Sequence, residues 1–142
     1  MGEPLPTVVP MLSYEDCAAA SKWLAAAFGF RETFRHTEPD GRVTHVDLVL
    51  GDGRVMLGWP GPDYRSPKRH AETCEQARRW LEAPYVVDGV YVQVDNLDEH
   101  FRHAAAAGAD VLSEPEDVGF GRHYRAADLE GHRWMIAERT GD

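Results

Sequence analysis

The amino-acid sequence predicts one α+β domain that spans residues 1–142 and consists of two tandem βαβββ modules. A chain of 142 residues has the size of one ordinary domain and can bury a substantial core. Two segments share the order strand, capping residue, helix and terminal glycine, and three strand-like segments follow each of them. We therefore expect module 1 at about residues 7–62 and module 2 at about residues 88–138, with an extra helix at about residues 66–83 between them.

The first module begins with the segment TVVPMLSYEDCAAASKWLAAAFGF, residues 7–30. Asp16 is a typical helix N-cap, and Gly29 occupies the position after a helix where a positive φ is common. The helix between them places four side chains on one face, namely Cys17, Ala20, Leu24 and Phe28. Three strands are predicted to follow, ETFRHT, VTHVDLVL and RVMLGWP, and the GDG between the last two predicts a hairpin.

The second module repeats this order in the segment VYVQVDNLDEHFRHAAAAGADVL, residues 90–112. Asn96 or Asp95 caps the predicted helix, and Gly108 follows it. The side chains expected to face inward are Leu97, Phe101, Ala104 and Ala105. The predicted strands are DVLSEP, RHYRAAD and RWMIAER, and the turn LEGH joins the last two.

One more helix is predicted between the modules, in SPKRHAETCEQARRWLEAP, residues 66–84. Ser66 is its expected N-cap, Pro67 takes the first helical position, and Pro84 ends it. Cys17 and Cys74 lie far apart in helical patterns, so we expect two reduced thiols and no disulfide.

Charge and composition narrow the classes of partner. The formal net charge of −9 argues against a nucleic-acid surface, which needs clustered Lys and Arg, and it is compatible with a cationic ligand. The start MGEPLPTVVP lacks the basic and apolar regions of a signal peptide. No apolar run reaches the roughly 18 residues that a membrane span needs. We therefore expect a cytoplasmic protein without nucleic-acid or membrane partners.

The tandem modules and two segments together resemble the vicinal oxygen chelate superfamily. The segments are GRHYRAADLEGHRW, residues 121–134, and VTHVDLVLGDGRVMLG, residues 43–58. This superfamily includes glyoxalase I, extradiol dioxygenases, fosfomycin-resistance enzymes and bleomycin-resistance proteins. The resemblance covers about Thr7 to Glu138 and implies the glyoxalase/bleomycin-resistance fold, in which curved mixed sheets surround a cavity. It also implies a homodimer, with the two modules either exchanged between subunits or side by side.

Metal-dependent members of the superfamily place one ligand, usually His or Glu, on each of four strands. Carried over to this sequence, the four positions fall at or beside Val9, Leu57, Gly89 and Met135. None of these residues supplies the imidazole nitrogen or carboxylate oxygen that a divalent ion needs. A shift of one residue along the chain adds only Asp88 as a possible ligand. The resemblance therefore implies a cavity without metal or cofactor, as in the antibiotic-binding branch.

Strand alternation indicates which residues of the second module would line such a cavity. If Met135 faces the cavity, Arg133 faces it as well. If Gly89 faces the cavity, Tyr91 and Gln93 do the same, and both would otherwise leave polar atoms in a core.

The same alternation gives candidates in the first module. Taking Leu57 as cavity-facing adds Trp59. In VTHVDLVL the apolar set Val46, Leu48 and Leu50 must face the helix, which leaves His45 and Asp47 on the cavity side. The segment RHYRAAD adds Tyr124, for which the alternation leaves both faces open because its register can shift by one residue. The predicted ligand-binding residues are His45, Asp47, Trp59, Tyr91, Gln93, Tyr124, Arg133 and Met135.

Three functions follow from these residues. The first is binding of a small aromatic or cationic molecule in a metal-free cavity, as in antibiotic sequestration. The second is a lyase, isomerase or epimerase that acts on a small carbonyl compound, with His45 as general base and Asp47 as its orienting partner. In that case an unusual metal site could include His45, Asp47 and His123. The third is a partner-binding module of a larger assembly.

Overall fold

A computed structural model of the chain describes residues 4–140, and its elements follow the order βαβββ twice. The chain divides into two compact units, the first ending at Ser66 and the second beginning at Pro67. Each unit holds one four-stranded mixed sheet. The predicted α+β class and the two tandem modules are therefore confirmed.

The first unit contains one helix and four strands. These are β1 (Met11–Ser13), α1 (Cys17–Phe28), β2 (Arg31–Thr37), β3 (Val43–Leu50) and β4 (Gly53–Gly58). The strand order is β1-β4-β3-β2, with β1 parallel to β4 and the other pairs antiparallel. Helix α1 packs on one face of this sheet. We call the opposite face the helix-distal face of the first sheet.

Local chemistry fixes both ends of α1 as the sequence predicts. The Asp16 carboxylate accepts a hydrogen bond of 3.0 Å from the backbone N–H of Ala19, which caps the N-terminus. Gly29 ends the helix with a φ of 86°, a left-handed conformation that is unfavourable for residues with a Cβ. The predicted inward residues Cys17, Ala20, Leu24 and Phe28 are all buried.

The second unit contains three helices and four strands. These are α2 (Pro67–Thr73), α3 (Glu75–Glu82), β5 (Val90–Val94), α4 (Leu97–Ala106), β6 (Asp110–Asp117), β7 (Arg122–Ala127) and β8 (Arg133–Glu138). The strand order is β5-β8-β7-β6, and β5 runs parallel to β8. Helix α4 packs on one face, and the opposite face is the helix-distal face of the second sheet.

The helix predicted between the modules is two short helices, so the prediction of one continuous helix is wrong. The first begins at Pro67 as expected, but Cys74 has extended backbone angles, φ −138° and ψ 114°, and separates α2 from α3. The apolar stripe of this segment is weak, and Ala77 is its one buried residue. Tertiary packing therefore provides little to hold a longer helix straight.

Helix α4 differs from its prediction at one side chain. Asn96 is the cap, because its side-chain oxygen accepts a 3.1 Å hydrogen bond from the N–H of Glu99. Leu97 and Ala104 are buried as predicted, whereas Ala105 is exposed. Within residues 4–140, no helix is long and apolar enough to cross a membrane.

Asp128 organises the turn between β7 and β8. One carboxylate oxygen accepts the backbone N–H groups of Glu130 and His132, both at 3.0 Å, and the other accepts the indole N–H of Trp134 at 3.0 Å. Asp128 is 3% exposed, so these bonds form away from water. The carbonyl of Glu130 in turn accepts the N–H of Lys68 at 3.0 Å, which ties the start of α2 to the turn.

Candidate functional site

The helix-distal face of the first sheet can be assigned from its register. Residues directly opposite each other on neighbouring strands point to the same face. Asp47 lies opposite Met56 and Phe34, and His45 lies opposite Gly58. Val46 and Leu48 of β3 are fully buried on the α1 side, so His45 and Asp47, which alternate with them, share the helix-distal face, in agreement with the alternation.

The assignment of Leu57 to this face is wrong by one residue. Leu57 lies opposite Val46, and both side chains are fully buried on the α1 side of the sheet. Met56 occupies the helix-distal position instead. Trp59 follows the end of β4, where its ring lies 4.1 Å from the guanidinium carbon of Arg42. The Trp59 ring therefore makes a cation–π contact with an arginine of the same unit.

His45 and Asp47 form a close pair on this face. The distance between His45 Nε2 and Asp47 Oδ1 is 2.6 Å, the His45 ring is half-buried and Asp47 is buried. The Phe34 ring centroid lies 6.0 Å from that of His45. When a carboxylate accepts the proton of Nε2, a neutral imidazole presents its Nδ1 lone pair as an acceptor or base. The geometry is thus that of a base and its orienting partner.

Four of the predicted residues lie together on the helix-distal face of the second sheet. Tyr91 lies beside Met135, and Gln93 lies beside Ala137. Arg133 is two residues before Met135 on β8, so it shares this face. The Tyr91 side chain is 56% exposed. The alternation deduced from the sequence is therefore correct for Tyr91, Gln93, Arg133 and Met135.

Tyr124 lies on the other side of the same sheet, so it does not join this group. It is 1% exposed, its hydroxyl lies 2.6 Å from His100 Nδ1, and its ring packs edge-on at 5.2 Å from Phe101, both on α4. Burial raises the pKa of the Tyr124 phenol well above its ordinary value. Arg125, opposite Met135, takes the helix-distal position on β7 that the sequence left open by one residue.

Two further residues, His123 and Phe120, extend the aromatic surface next to Tyr91. The sequence suggested His123 only as a possible ligand of an unusual metal site, and it did not indicate Phe120. His123 lies on the helix-distal face, 3% exposed, with its ring centroid 5.7 Å from that of Tyr91 and 5.0 Å from that of Phe120. Phe120 itself is 76% exposed, although an aromatic side chain usually finds cover. The sequence does contain one signal for Phe120. This aromatic residue stands between two glycines in VGFG, which is unusual for a turn that only connects two strands.

Tyr85 is the second residue that the sequence did not indicate. It lies between α3 and β5, its φ is 63°, and its hydroxyl donates to the sulfur of Met135 at 3.6 Å. Its ring lies against Gly89, where an added Cβ would be 2.9 Å from Tyr85 Cδ1. No periodic pattern could reveal this side chain, because it belongs to neither a helix nor a strand.

Arg133 is positioned by contacts within its own unit. Its Nη2 donates to the carbonyl oxygen of Leu81 at 2.6 Å, and its backbone N–H donates to Asp88. Burial lowers the pKa of the Arg133 guanidinium, and the nearby carboxylates of Asp110 and Asp88 oppose that effect. Arg125 shares this face, and so do the carboxylates of Asp110 and Glu116, which lie opposite Ala127 and His123 in the register.

The positions at which metal-dependent superfamily members hold an ion do not fit a divalent cation. With the corrected register they are occupied by Val9, Met56, Gly89 and Met135. A thioether is a soft, weak ligand, and the valine and glycine offer no side-chain donor. Across residues 4–140, no three His, Cys, Asp or Glu side chains are grouped so that they could hold a metal ion.

Asp88, the one possible ligand that a shifted alignment would add, serves the fold. One of its oxygens forms a hydrogen bond with His132 Nδ1, and the other accepts the N–H of Arg133 at 2.9 Å. Both oxygens are therefore engaged in fixing the start of β8.

A cavity of about 400 Å³ lies in the first unit, beside the N-terminus of α1. Its lining includes Glu15, Asp16 and Asp40, whose carboxylates accept hydrogen bonds from the backbone N–H groups of Ser66, Ala19 and Arg42 respectively. Its acidic groups thus have structural partners, and none of the predicted ligand-binding residues lines it.

Comparison with known proteins finds similarity over nearly the whole chain. The family model described as Glyoxalase/Bleomycin resistance protein/Dioxygenase superfamily matches residues 7–136. The protein Rv0887c of Mycobacterium tuberculosis (strain ATCC 25618 / H37Rv) is 30% identical over 134 residues, which is 94% of this chain and 74% of that protein.

Two solved structures illustrate the structural similarity. TioX from Micromonospora sp. ML1 is 34% identical with a TM-score of 0.66, over 96% of this chain and 98% of TioX. TnmS3, an antibiotic binding protein from Streptomyces sp. CB03234, is 15% identical with a TM-score of 0.62, over 97% of this chain and 100% of TnmS3. At 15% identity, TnmS3 shows a common fold alone.

Proposed function

Because the chain belongs to the Glyoxalase/Bleomycin resistance protein/Dioxygenase superfamily, which is the vicinal oxygen chelate superfamily its sequence resembles, we propose that it binds a small aromatic molecule without a metal ion. The proposed binding surface is the helix-distal face of the second sheet. The observation that supports it is the exposed aromatic cluster formed by Tyr91 and Phe120 around the buried His123. Exposed rings at fixed positions are a typical stacking surface for a flat ligand.

Two arginine side chains on this face provide hydrogen-bond donors for a ligand. Arg125 and Arg133 lie on the same face as Met135. An aromatic ligand with acceptor oxygens or a negative charge is attracted by both guanidinium groups. Of the aromatic and cationic ligands that the sequence suggests, the aromatic class is therefore the one we propose.

Sequestration is the biological role that this binding would serve. TnmS3, which has the same fold, is an antibiotic binding protein, and this supports the use of the scaffold for such molecules. A protein that holds an aromatic antibiotic keeps it from its target without any chemical step. We include in the proposal a homodimer in the cytoplasm, as implied by the family resemblance, and light scattering in solution would measure the oligomeric state.

Substitution of Tyr91 by alanine tests the proposed binding surface. We expect wild-type protein to bind the soluble planar probe anthraquinone-2-sulfonate, and Tyr91→Ala to weaken this binding about tenfold, because an aromatic contact and its buried area are lost. Isothermal titration calorimetry measures both dissociation constants.

Val111→Ala is the matched control for Tyr91→Ala. Val111 is an exposed apolar side chain of β6 that lies opposite Ala126, on the α4 side of the sheet. Its removal should leave the dissociation constant unchanged within about twofold. Absence of binding by the wild type, or equal affinities of wild type and Tyr91→Ala, would contradict the proposed surface.

The pair of His45 and Asp47 favours a second function, catalysis of proton transfer on a small carbonyl compound. We propose this as the alternative, in which His45 removes a proton next to the carbonyl group and Asp47 keeps the imidazole oriented. The observation that favours it is the 2.6 Å contact between His45 Nε2 and Asp47 Oδ1.

Hydrogen exchange on a simple ketone tests the alternative function. If it is correct, the protein speeds exchange of the dihydroxyacetone C–H protons for deuterium in D₂O, measured by NMR, and His45→Gln lowers that rate about 100-fold or more. His36→Gln is the control, because His36 lies opposite His45 in the register and is itself exposed. A wild-type rate equal to that of buffer would eliminate this function.

A further inference from the structure

Tyr85 has a backbone conformation that needs support from its surroundings. Among the described residues it is the one non-glycine residue with a positive φ, 63°. A side chain with a Cβ is disfavoured in this region, so the conformation persists only where neighbouring contacts hold it. Such an outlier often marks a residue whose placement serves a function.

Two contacts hold the Tyr85 side chain over the helix-distal face of the second sheet. Its ring lies on Gly89, so closely that an alanine Cβ there would be 2.9 Å from Tyr85 Cδ1. Its hydroxyl reaches the sulfur of Met135 at 3.6 Å. The side chain is nevertheless 49% exposed, so a ligand on this face has access to it.

The hydroxyl of Tyr85 has a poor hydrogen-bond acceptor in this arrangement. A thioether sulfur accepts only weakly, whereas a carbonyl oxygen is a strong acceptor. Met135 also lies beside the exposed Tyr91 in the register of β5 and β8. The donor is therefore placed at the edge of the proposed stacking surface, next to the positions that a flat ligand would cover.

We propose that Tyr85 determines the specificity of this site for aromatic carbonyl compounds. On binding, its O–H leaves the Met135 sulfur and donates to a carbonyl oxygen at the edge of the ligand ring system. The inference rests on the proposed function, because it assumes that the helix-distal face of the second sheet takes an aromatic ligand. It adds the chemical class, which includes quinones and aryl ketones.

Two probes that differ in their carbonyl groups test this role. Anthraquinone-2-sulfonate and anthracene-2-sulfonate have the same ring outline and charge, and only the first carries carbonyl oxygens. We expect wild-type protein to bind the quinone about three- to tenfold more tightly than the anthracene, as one neutral hydrogen bond provides. Tyr85→Phe should bind both probes with equal affinity, with the dissociation constants measured by calorimetry.

A second variant removes the geometry while keeping the hydroxyl. Gly89 does not have a positive φ, so Gly89→Ala suits the backbone, but its Cβ must push the Tyr85 ring aside. We expect this variant to lose the preference for the quinone as well. Val111→Ala is the control, because Val111 lies on the α4 side of the same sheet, and this variant should keep the preference for the quinone. Circular dichroism and thermal melts verify that all three variants fold.

The outcomes separate this inference from the proposed function. If the wild type binds neither probe, the proposed function fails and the inference fails with it. If the wild type binds both probes equally, or if Tyr85→Phe keeps the preference for the quinone, the inference is wrong while the binding function stands. If Tyr85→Phe and Gly89→Ala lose the preference and Val111→Ala keeps it, Tyr85 is the residue that selects the carbonyl class.

Discussion

Asp128→Ala is expected to lower the free energy of unfolding by about 3–5 kcal/mol. The substitution removes the acceptor for three donors, the backbone N–H groups of Glu130 and His132 and the indole N–H of Trp134. Each buried donor left without a partner costs about 1–3 kcal/mol. Because domains of this size are stable by only about 5–15 kcal/mol, much of the total stability would be lost.

Asp128→Asn is the matched control for this substitution. Asparagine keeps one oxygen that can accept the two backbone N–H groups, but it places an NH₂ group against the Trp134 indole N–H. We expect Asp128→Asn to lower the free energy of unfolding, but by less than Asp128→Ala does. Urea unfolding followed by circular dichroism gives the three free energies, and an alanine variant within about 1 kcal/mol of the wild type would show that the turn does not depend on Asp128.

Gly131→Ala is expected to destabilise the protein by about 2–4 kcal/mol. Two effects add at this position. The φ of Gly131 is +92°, which disfavours any residue with a Cβ, and the new Cβ would lie 2.8 Å from the backbone nitrogen of Lys68. That nitrogen donates to the carbonyl of Glu130, so α2 could retreat only by breaking the bond that ties it to the turn.

Gly108→Ala separates the two effects in the same unfolding experiment. Gly108 has a similar φ of +102°, but no atom lies within 4 Å of an added Cβ. Its replacement should therefore show the backbone cost alone, about 1–2 kcal/mol. If both variants lose the same free energy, the close contact with Lys68 contributes nothing and the prediction for Gly131 is wrong.

These predictions bear on function because the turn positions β8. Asp88 accepts the N–H of Arg133, and Asp128 holds the residues that lead into the strand. Strand β8 carries Arg133 and Met135 on the proposed binding face. The segment DLEGHRW, on which the family resemblance largely rests, therefore contributes to the fold and to placing the site, while the chemistry of the site depends on other residues.

Part of the site could be predicted from the sequence, because strand alternation assigns a face to every residue of a strand once the face of one residue, the anchor, is known. On β8 the anchor Met135 gives the correct face for Arg133, and next to β5 the anchor Gly89 gives the correct face for Tyr91 and Gln93. On β4 the anchor was wrong. Met56 and Leu57 are adjacent apolar residues, and alternation cannot indicate which of them faces a helix. The register with Val46 places Leu57 under α1.

Other parts of the site depend on contacts between residues far apart in the sequence. Tyr85 is placed by Gly89 and by Met135, which lies 50 residues further along the chain. Phe120 lies in a turn, and its relation to His123 and Tyr91 depends on how that turn folds over the sheet. Loop positions have no period, so the sequence gives no rule for where their side chains point.

Short-range patterns in the sequence specify the two βαβββ modules, both caps of α1, and the faces of β3, β5 and β8, because each depends on the spacing of a few nearby residues. The break at Cys74, the faces of Met56 and Tyr124, and the positions of Tyr85 and Phe120 depend instead on tertiary contacts. Backbone capping and alternation are local, whereas the choice between two chemically similar residues is made by the surface that each one packs against.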